Sequence, residues 1–175
     1  MKHLQLLPIG KLDGGLLMEL APAVADTFRM PCEILSRALD PEFAFHGERQ
    51  QYHSSEILQR MQSFLAPNSW RVLGVAAVDL YIPILTFVFG EAQVGGPCAV
   101  VSLHRLRQEF YGLPEDQEIL RYRLAKEAVH EIVKILATAK EATKDSRASI
   151  ERLGRVFIFS SEEIPMHTPI LLGVD

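Results

Sequence analysis

Apolar and polar positions alternate along the chain with two periods, one typical of β-strands and one typical of helices. Short apolar runs bounded by turn-forming residues predict strands over residues 3–9, 32–39, 71–82, 85–92 and 98–103. Apolar residues at helical spacing predict helices over residues 15–29, 54–65 and 116–144. Strands that alternate with helices favour parallel pairing, whereas the Gly-rich link between the last two strands favours an antiparallel pair. The sequence therefore predicts an α/β (α+β) fold with a mixed, twisted β-sheet of about five strands and helices packed on it.

The segment 116–144 has the clearest helical pattern. At about 100° per residue, Glu127 and Lys134 fall on the same side as His130, and a row of apolar residues falls on the opposite side. That row consists of Ala125, Ala128, Ile132, Ile135, Leu136 and Ala139. We therefore expect an amphipathic helix with His130 and Lys134 on its polar face. Beyond the helix, residues 145–155 are typical of a polar linker and residues 156–159 of a short strand.

Composition and charge exclude several classes of function. The length of 175 residues fits one domain, or one domain with a small appendage. Lys and Arg total 18 against 22 Asp and Glu, and this net charge of −4 excludes a strongly basic nucleic-acid binder. No apolar run reaches the ~18 residues of a membrane span, and Pro8 and Gly10 interrupt any signal-peptide core, so we expect a cytoplasmic protein with reduced thiols. Two cysteines, Cys32 and Cys98, cannot form a four-cysteine zinc site.

Several charged residues are candidates for chemistry. Asp79 and Glu91 interrupt apolar runs, where hydrogen bonding within the fold is the commoner role. Lys134 lies within one helical turn of Glu127 and Glu131, and an exposed ion pair is favoured there over a catalytic base. No phosphate-binding loop pattern follows a predicted strand.

The chain resembles the archaemetzincins, a branch of the metzincin zinc metallopeptidases, in four segments. These are ERQQYHSSEIL (48–58), LGVAAVDLYIPILTFVFGEA (73–92), AVVSLHRLR (99–107) and LAKEAVHE (124–131), which stand in the family's order and spacing. The resemblance covers residues 1–131. It implies a metzincin-like catalytic-type domain over residues 1–144, with a backing helix and a long active-site helix. A divergent segment follows over residues 145–175.

The family's zinc motif is H-E-x-x-H-x-x-G-x-x-H-C, which implies three histidine ligands and a glutamate that acts as general base. In this chain His130 matches the first ligand position and Glu131 the general base. The second ligand, the glycine and the third ligand are replaced by Lys134, Ala137 and Lys140. An ammonium group has no lone pair for a metal and repels a dication. The resemblance thus implies a degenerate site with zinc absent or incompletely coordinated, in a chain that is inactive as a hydrolase.

Three interpretations of this departure stay open. The first is a pseudoenzyme whose cleft edge, at Phe87, Phe89 and Glu91, binds an extended peptide, with nucleic acid and membranes excluded as partners. The second is an active zinc-dependent metallopeptidase in which rearranged ligands join His130 and Glu131. The donors available to it are His104, Glu127, Glu162, Glu163 and His167. In the third, the tail after Glu131 results from a frame change, a gene error or a redesign.

Overall fold

The computed structural model describes residues 2–138, and contacts divide the chain into two compact units between Lys140 and Glu141. Strands and helices of the first unit follow in the order β1 (His3–Ile9), α1 (Gly14–Phe28), β2 (Cys32–Ile34), β3 (Phe45–His46), β4 (Gln51–His53), α2 (Ser54–Met61), β5 (Ser69–Ala76), β6 (Leu80–Tyr81), β7 (Gly90–Ala92), β8 (Cys98–Ser102) and α3 (Gln117–Thr138). Short 3₁₀ turns occur at Glu42–Ala44, Gln62–Phe64 and Gln108–Tyr111. The predicted linker and strand after residue 144 lie outside the described residues.

The main sheet has five strands in the order β2-β1-β5-β8-β7. Strand β1 pairs in parallel with β2 and β5, and β5 pairs in parallel with β8. Strand β7 pairs with β8 in the antiparallel sense, with Gly90 opposite Val101. The prediction of a mixed five-strand sheet in which the last two predicted strands form an antiparallel pair is confirmed.

A second, smaller sheet was not predicted, and it shortens two of the predicted strands. It has the order β3-β4-β6, so the predicted strand 71–82 is wrong: β5 ends at Ala76 and β6 belongs to the small sheet. Between them the carbonyl of Val78 accepts a hydrogen bond from the Ser102 hydroxyl at 2.6 Å. The predicted strand 85–92 is also too long, because the carbonyls of Leu85 and Thr86 accept hydrogen bonds from the Arg49 side chain. Only Gly90–Ala92 pairs in the ladder.

Two further elements are shorter than their apolar patterns predict. Strand β2 ends at Ile34, and Leu39 meets β1 only through an isolated bridge to Ile9. Helix α2 ends at Met61 and continues as a 3₁₀ turn to Phe64. Both differences arise because an apolar run continues to pack on the core after its backbone leaves regular geometry.

The helices cover the two faces of the main sheet. Helix α2 lies over side chains of one face, which are Leu7, Ile9, Val72, Cys98 and Val100. Side chains alternate across a strand, so the residues between them face the other side, where α1 and α3 pack on each other and α3 packs on β7 and β8. The predicted apolar side of α3 is confirmed, since Ala128, Ile132, Ile135 and Leu136 are buried.

The ends of α1 follow the expected signals. The Asp13 carboxylate accepts a hydrogen bond from the N–H of Gly15 at 2.9 Å and caps the helix. Pro22 lies inside the helix, and the helix is capped at its C-terminal end by Arg29, which has a left-handed φ of 54°. Among residues 2–138, none of the helices combines the length and the apolar character that a membrane crossing requires.

Candidate functional site

Glu131 lies at the centre of the candidate site, on the side of α3 that faces the sheet. The N-terminal turn of α3 is capped by Asp116, whose carboxylate accepts a hydrogen bond from the N–H of Ile119 at 3.0 Å. The side chain of Glu131 is only 1% exposed, whereas that of His130 is 48% exposed. The helical pattern allowed both side chains to be exposed to solvent. In the structure the His130 side chain is exposed and the Glu131 side chain is not.

A glycine in the edge strand makes room for the Glu131 side chain. A Cβ atom built on Gly90 would lie 2.7 Å from Cγ of Glu131 and 2.7 Å from the carbonyl oxygen of Val100. A real Cβ does not tolerate such distances. The β7 backbone and the Glu131 side chain are thus in direct contact, and the close approach requires glycine at position 90.

Charged groups surround one oxygen of this buried carboxylate. The Lys134 ammonium nitrogen lies 2.7 Å from Oε1 of Glu131, and the predicted ion pair between these residues is present. Nδ1 of His130 lies 3.7 Å from the same oxygen and 3.7 Å from Oε1 of Glu127. Oε2 of Glu131 is buried and has no hydrogen-bond partner within residues 2–138. Burial raises the pKa of Glu131, and the hydrogen bond and charge of Lys134 act against that increase.

Three donor groups on α3 are close enough to be considered as metal ligands. Glu127, His130 and Glu131 each offer one atom, and these atoms lie within 4.8 Å of one another. Nδ1 of His130 lies 3.7 Å from Oε1 of Glu127 and 3.7 Å from Oε1 of Glu131, and these separations are within the about 4.4 Å that two zinc bonds of about 2.0–2.2 Å allow, so distance alone does not rule out an ion. The Lys134 ammonium is bonded to the Glu131 oxygen that would face the ion. Within the described residues, this set does not fit the three-histidine zinc site implied by the family motif.

The residues predicted for the cleft edge do not share one environment. Glu91 accepts hydrogen bonds from the hydroxyls of Ser54 and Ser55, the latter at 2.8 Å. It therefore joins β7 to the first residues of α2, on the face of the sheet opposite to Gly90 and Glu131. Phe87 and Phe89 pack edge to face with their centroids 5.2 Å apart. Their role in binding a peptide stays a prediction.

Asp79 is the centre of a polar network that joins segments far apart in the sequence. Its carboxylate binds the Arg105 guanidinium through two hydrogen bonds of 2.7 and 2.8 Å, and it accepts a third from Gln51 at 2.9 Å. Burial disfavours the charged form, but the hydrogen bonds and charge of Arg105 together with Gln51 lower the pKa of Asp79. Residues from three of the family-like segments are thus joined here, and a structural role for Asp79 is the one the geometry supports.

Other predicted site residues lie apart from Glu131 or outside the described residues. The His104 ring packs against Phe110 with a centroid separation of 5.2 Å. Cys32 and Cys98 are free thiols, and burial raises their pKa values to about 11 and about 12. The predicted site residues whose side chains the structure does not describe are Ala137, Lys140, Glu162, Glu163 and His167.

Solved structures of similar fold define the class of protein first. A zinc-dependent peptidase from Methanocorpusculum labreanum superposes with a TM-score of 0.70 at 24% identity, over 84% of this chain and 99% of that chain, and this likeness shows the fold. The archaemetzincin of Archaeoglobus fulgidus, solved as a complex with malonate, has a TM-score of 0.64 at 29% identity, over 87% and 92% of the two chains. The described unit therefore has the fold of the zinc-peptidase archaemetzincins.

The family follows from comparison of the sequence. The model of peptidase family M54 matches residues 15–144, and the chain belongs to this family. The archaemetzincin of Methanocaldococcus jannaschii is 41% identical over 129 residues, which are 74% of this chain and 69% of that protein. The archaemetzincin of Pyrococcus horikoshii is 41% identical over 91 residues, 51% of this chain and 48% of that protein. The resemblance predicted from the four segments is confirmed, and the chain spans about half to two thirds of these relatives.

Proposed function

We propose that this chain is a pseudo-peptidase of the M54 family, which does not hydrolyse peptide bonds through a family-type zinc site and instead binds extended peptides. The observation that carries the proposal is the 2.7 Å contact between the Lys134 ammonium and the buried Glu131 carboxylate. A general base needs its carboxylate oxygen within reach of the proton that it accepts. In this chain Oε1 of Glu131 is bonded to a cation that cannot ligate a metal, and Oε2 is buried.

The family match bears on how this departure arose. It extends to residue 144, past the positions of Lys134, Ala137 and Lys140. A frame change beginning directly after Glu131 would scramble that stretch. We therefore favour substitution within a retained helix over a frame change, and reading the coding DNA in its other frames tests this.

The edge of the main sheet supports the binding half of the proposal. Strand β7 is the last strand in the order of the main sheet, so in the described part of the chain its outer edge carries no further strand of that sheet. An extended peptide adds to such an edge through main-chain hydrogen bonds, with side-chain contacts setting specificity. Phe87 and Phe89 precede this strand directly and are half-buried, so they are available for such contacts.

Metal content and cleavage measured on the same preparation test the enzymatic half. Protein purified without chelators is assayed for metals by mass spectrometry, and cleavage of a quenched peptide library is followed with and without added zinc. We expect far less than one zinc per chain and no zinc-dependent cleavage. One zinc per chain that is lost in a His130→Ala variant, together with zinc-dependent cleavage, overturns the proposal. Peptides retained on immobilised protein identify the ligand class.

A second candidate function is an active metallopeptidase with rearranged ligands. The proximity of Glu127, His130 and Glu131 is the observation that favours it. In that case Glu127→Gln, which leaves the family motif intact, reduces both zinc content and cleavage. The same variant leaves a pseudo-peptidase unchanged in both measurements. Location in the cytoplasm remains a proposal from the sequence, to be tested by cell fractionation.

A further inference from the structure

Lys134 stands where the family motif has its second zinc-ligating histidine, and its ammonium contacts the carboxylate of Glu131, the residue at the general-base position. The two residues are three positions apart on α3, so their side chains lie on one face, one turn apart. The side chain of Lys134 is 46% exposed, whereas that of Glu131 is 1% exposed. The pair thus joins a partly solvated cation to a carboxylate that water does not reach.

A buried carboxylate requires a nearby positive charge or a full set of hydrogen bonds. Glu131 has an incomplete set in the described structure, because Oε2 has no partner and Cγ is in contact with the strand at Gly90. Of the charged groups on α3 around it, Glu127 is another acid and Nδ1 of His130 is 3.7 Å away. Lys134 makes the shortest contact to the carboxylate among these groups.

We infer that the Lys134 ammonium serves as a built-in replacement for a metal cation beside Glu131. It stabilises the ionised carboxylate in its buried position without metal, and it competes with a divalent cation for Oε1. This inference rests on the proposed function, since a resident zinc ion would make the ammonium unnecessary. It assigns to the substituted position a role in stability and in excluding metal, beyond the loss of a ligand.

Thermal unfolding of the full chain in the presence of a chelator tests the first part. Lys134→Gln removes the charge, and we expect its Tm to fall by about 5 °C or more, because a buried charge then lacks its partner. Glu131→Gln in the Lys134→Gln background removes that charge, and we expect it to recover more than half of the loss. Lys126→Gln, at another lysine of the same helix, is the matched control and is expected to stay within about 2 °C of wild type.

The double variant keeps the test decisive even where Lys134→Gln alone does not fold. Recovery on neutralising Glu131 supports the inference, because only a charge imbalance is relieved by that change. A Lys134→Gln variant as stable as wild type overturns it. So does a double variant that is no more stable than the single one.

Zinc titration tests the competition. At equal zinc concentration, we expect a larger rise in Tm for Lys134→Gln than for wild type, and we expect His130→Ala to abolish the additional rise in the Lys134→Gln background. An equal rise in Tm for wild type and Lys134→Gln on adding zinc overturns the proposed competition between the ammonium and the metal. Stoichiometric zinc in wild type as purified instead overturns the proposed function, so the two failures are distinguishable.

Discussion

Replacing Gly90 by alanine perturbs the contact between the edge strand β7 and helix α3. The added Cβ would lie 2.7 Å from Cγ of Glu131 and 2.7 Å from the Val100 carbonyl oxygen. Real Cβ atoms essentially never lie closer than 3.0 Å to another heavy atom, so the strand or these neighbours must shift by at least 3.0 − 2.7 = 0.3 Å, and by 3.4 − 2.7 = 0.7 Å to reach the 3.4 Å at which ordinary van der Waals contact begins. The carbonyl cannot move independently, because Val100 pairs with both β5 and β7 in the ladder. The strain therefore falls on the sheet as well as on α3.

Overpacking of this kind costs about 1–3 kcal/mol. Since a protein of this size shifts its Tm by about 2–4 °C per kcal/mol, we expect the Tm of Gly90→Ala to fall by about 2–12 °C. Urea unfolding followed by circular dichroism gives the change in free energy of unfolding directly. The midpoint is expected to fall while the slope with urea concentration stays constant.

Two other glycines provide controls. A Cβ on Gly47 would meet nothing within 4 Å, so Gly47→Ala is expected to change the free energy of unfolding by less than about 0.5 kcal/mol. A Cβ on Gly74 would meet side-chain atoms of Ile9 and Met61 and no backbone atom among its nearest neighbours, so its alanine variant is expected to be affected less than Gly90→Ala. An unchanged urea midpoint for Gly90→Ala would refute the close packing of β7 on Glu131.

Further predictions concern the two polar clusters outside the Glu131 site. Asp79→Asn is expected to reduce the free energy of unfolding by about 1–3 kcal/mol, because it leaves Arg105, whose side chain is 19% exposed, without its anion; urea unfolding measures this. The native pKa of Asp79 is lowered from its ordinary 3.8, so the stabilisation that its ionised carboxylate provides is complete above pH 3.8 and is lost as the pH falls through the lower native value. Wild type is therefore expected to lose more stability on acidification than Asp79→Asn. Glu91→Gln is expected to reduce stability by about 1 kcal/mol and to speed amide exchange at the start of α2, since the Ser54 and Ser55 hydroxyls then lose a charged acceptor; hydrogen exchange read by mass spectrometry tests this.

The order of the elements could be read from the sequence, but their lengths could not. Apolar runs located β1 and β8 well, because these strands are buried on both faces and are therefore mostly apolar, with Gln5 and Ser102 as buried polar exceptions. The run at 85–92 is equally apolar, yet most of it is not in the ladder. Phe87 packs under the Arg105 guanidinium at 4.1 Å, and the preceding carbonyls bind Arg49. An apolar residue that packs on a cation and one that packs in a sheet interior have the same signature in a sequence.

The candidate site was predictable in its members and not in its energetics. The spacing of Glu131 and Lys134 predicts an ion pair, and the structure contains it. An exposed pair at that spacing stabilises a helix by only about 0.2–0.5 kcal/mol. Because Glu131 is buried, removing its partner is expected to cost much more. The network at Asp79 was missed because its partners come from segments far apart in the chain.

The sequence by itself determined the family, the mixed sheet and the amphipathic helix, and its resemblance to the family motif predicts that Lys134 stands at a ligand position. These follow from residue identity and from local periodicity, which any stretch of chain carries within itself. Only the tertiary structure decided that Glu131, the partner of Lys134 in this pair, is enclosed by the described part of the chain. That enclosure depends on Gly90, which lies 131 − 90 = 41 residues earlier and meets α3 only when the edge strand pairs with β8. Burial is a property of such long-range contacts, and it is burial that gives this charge pair its importance.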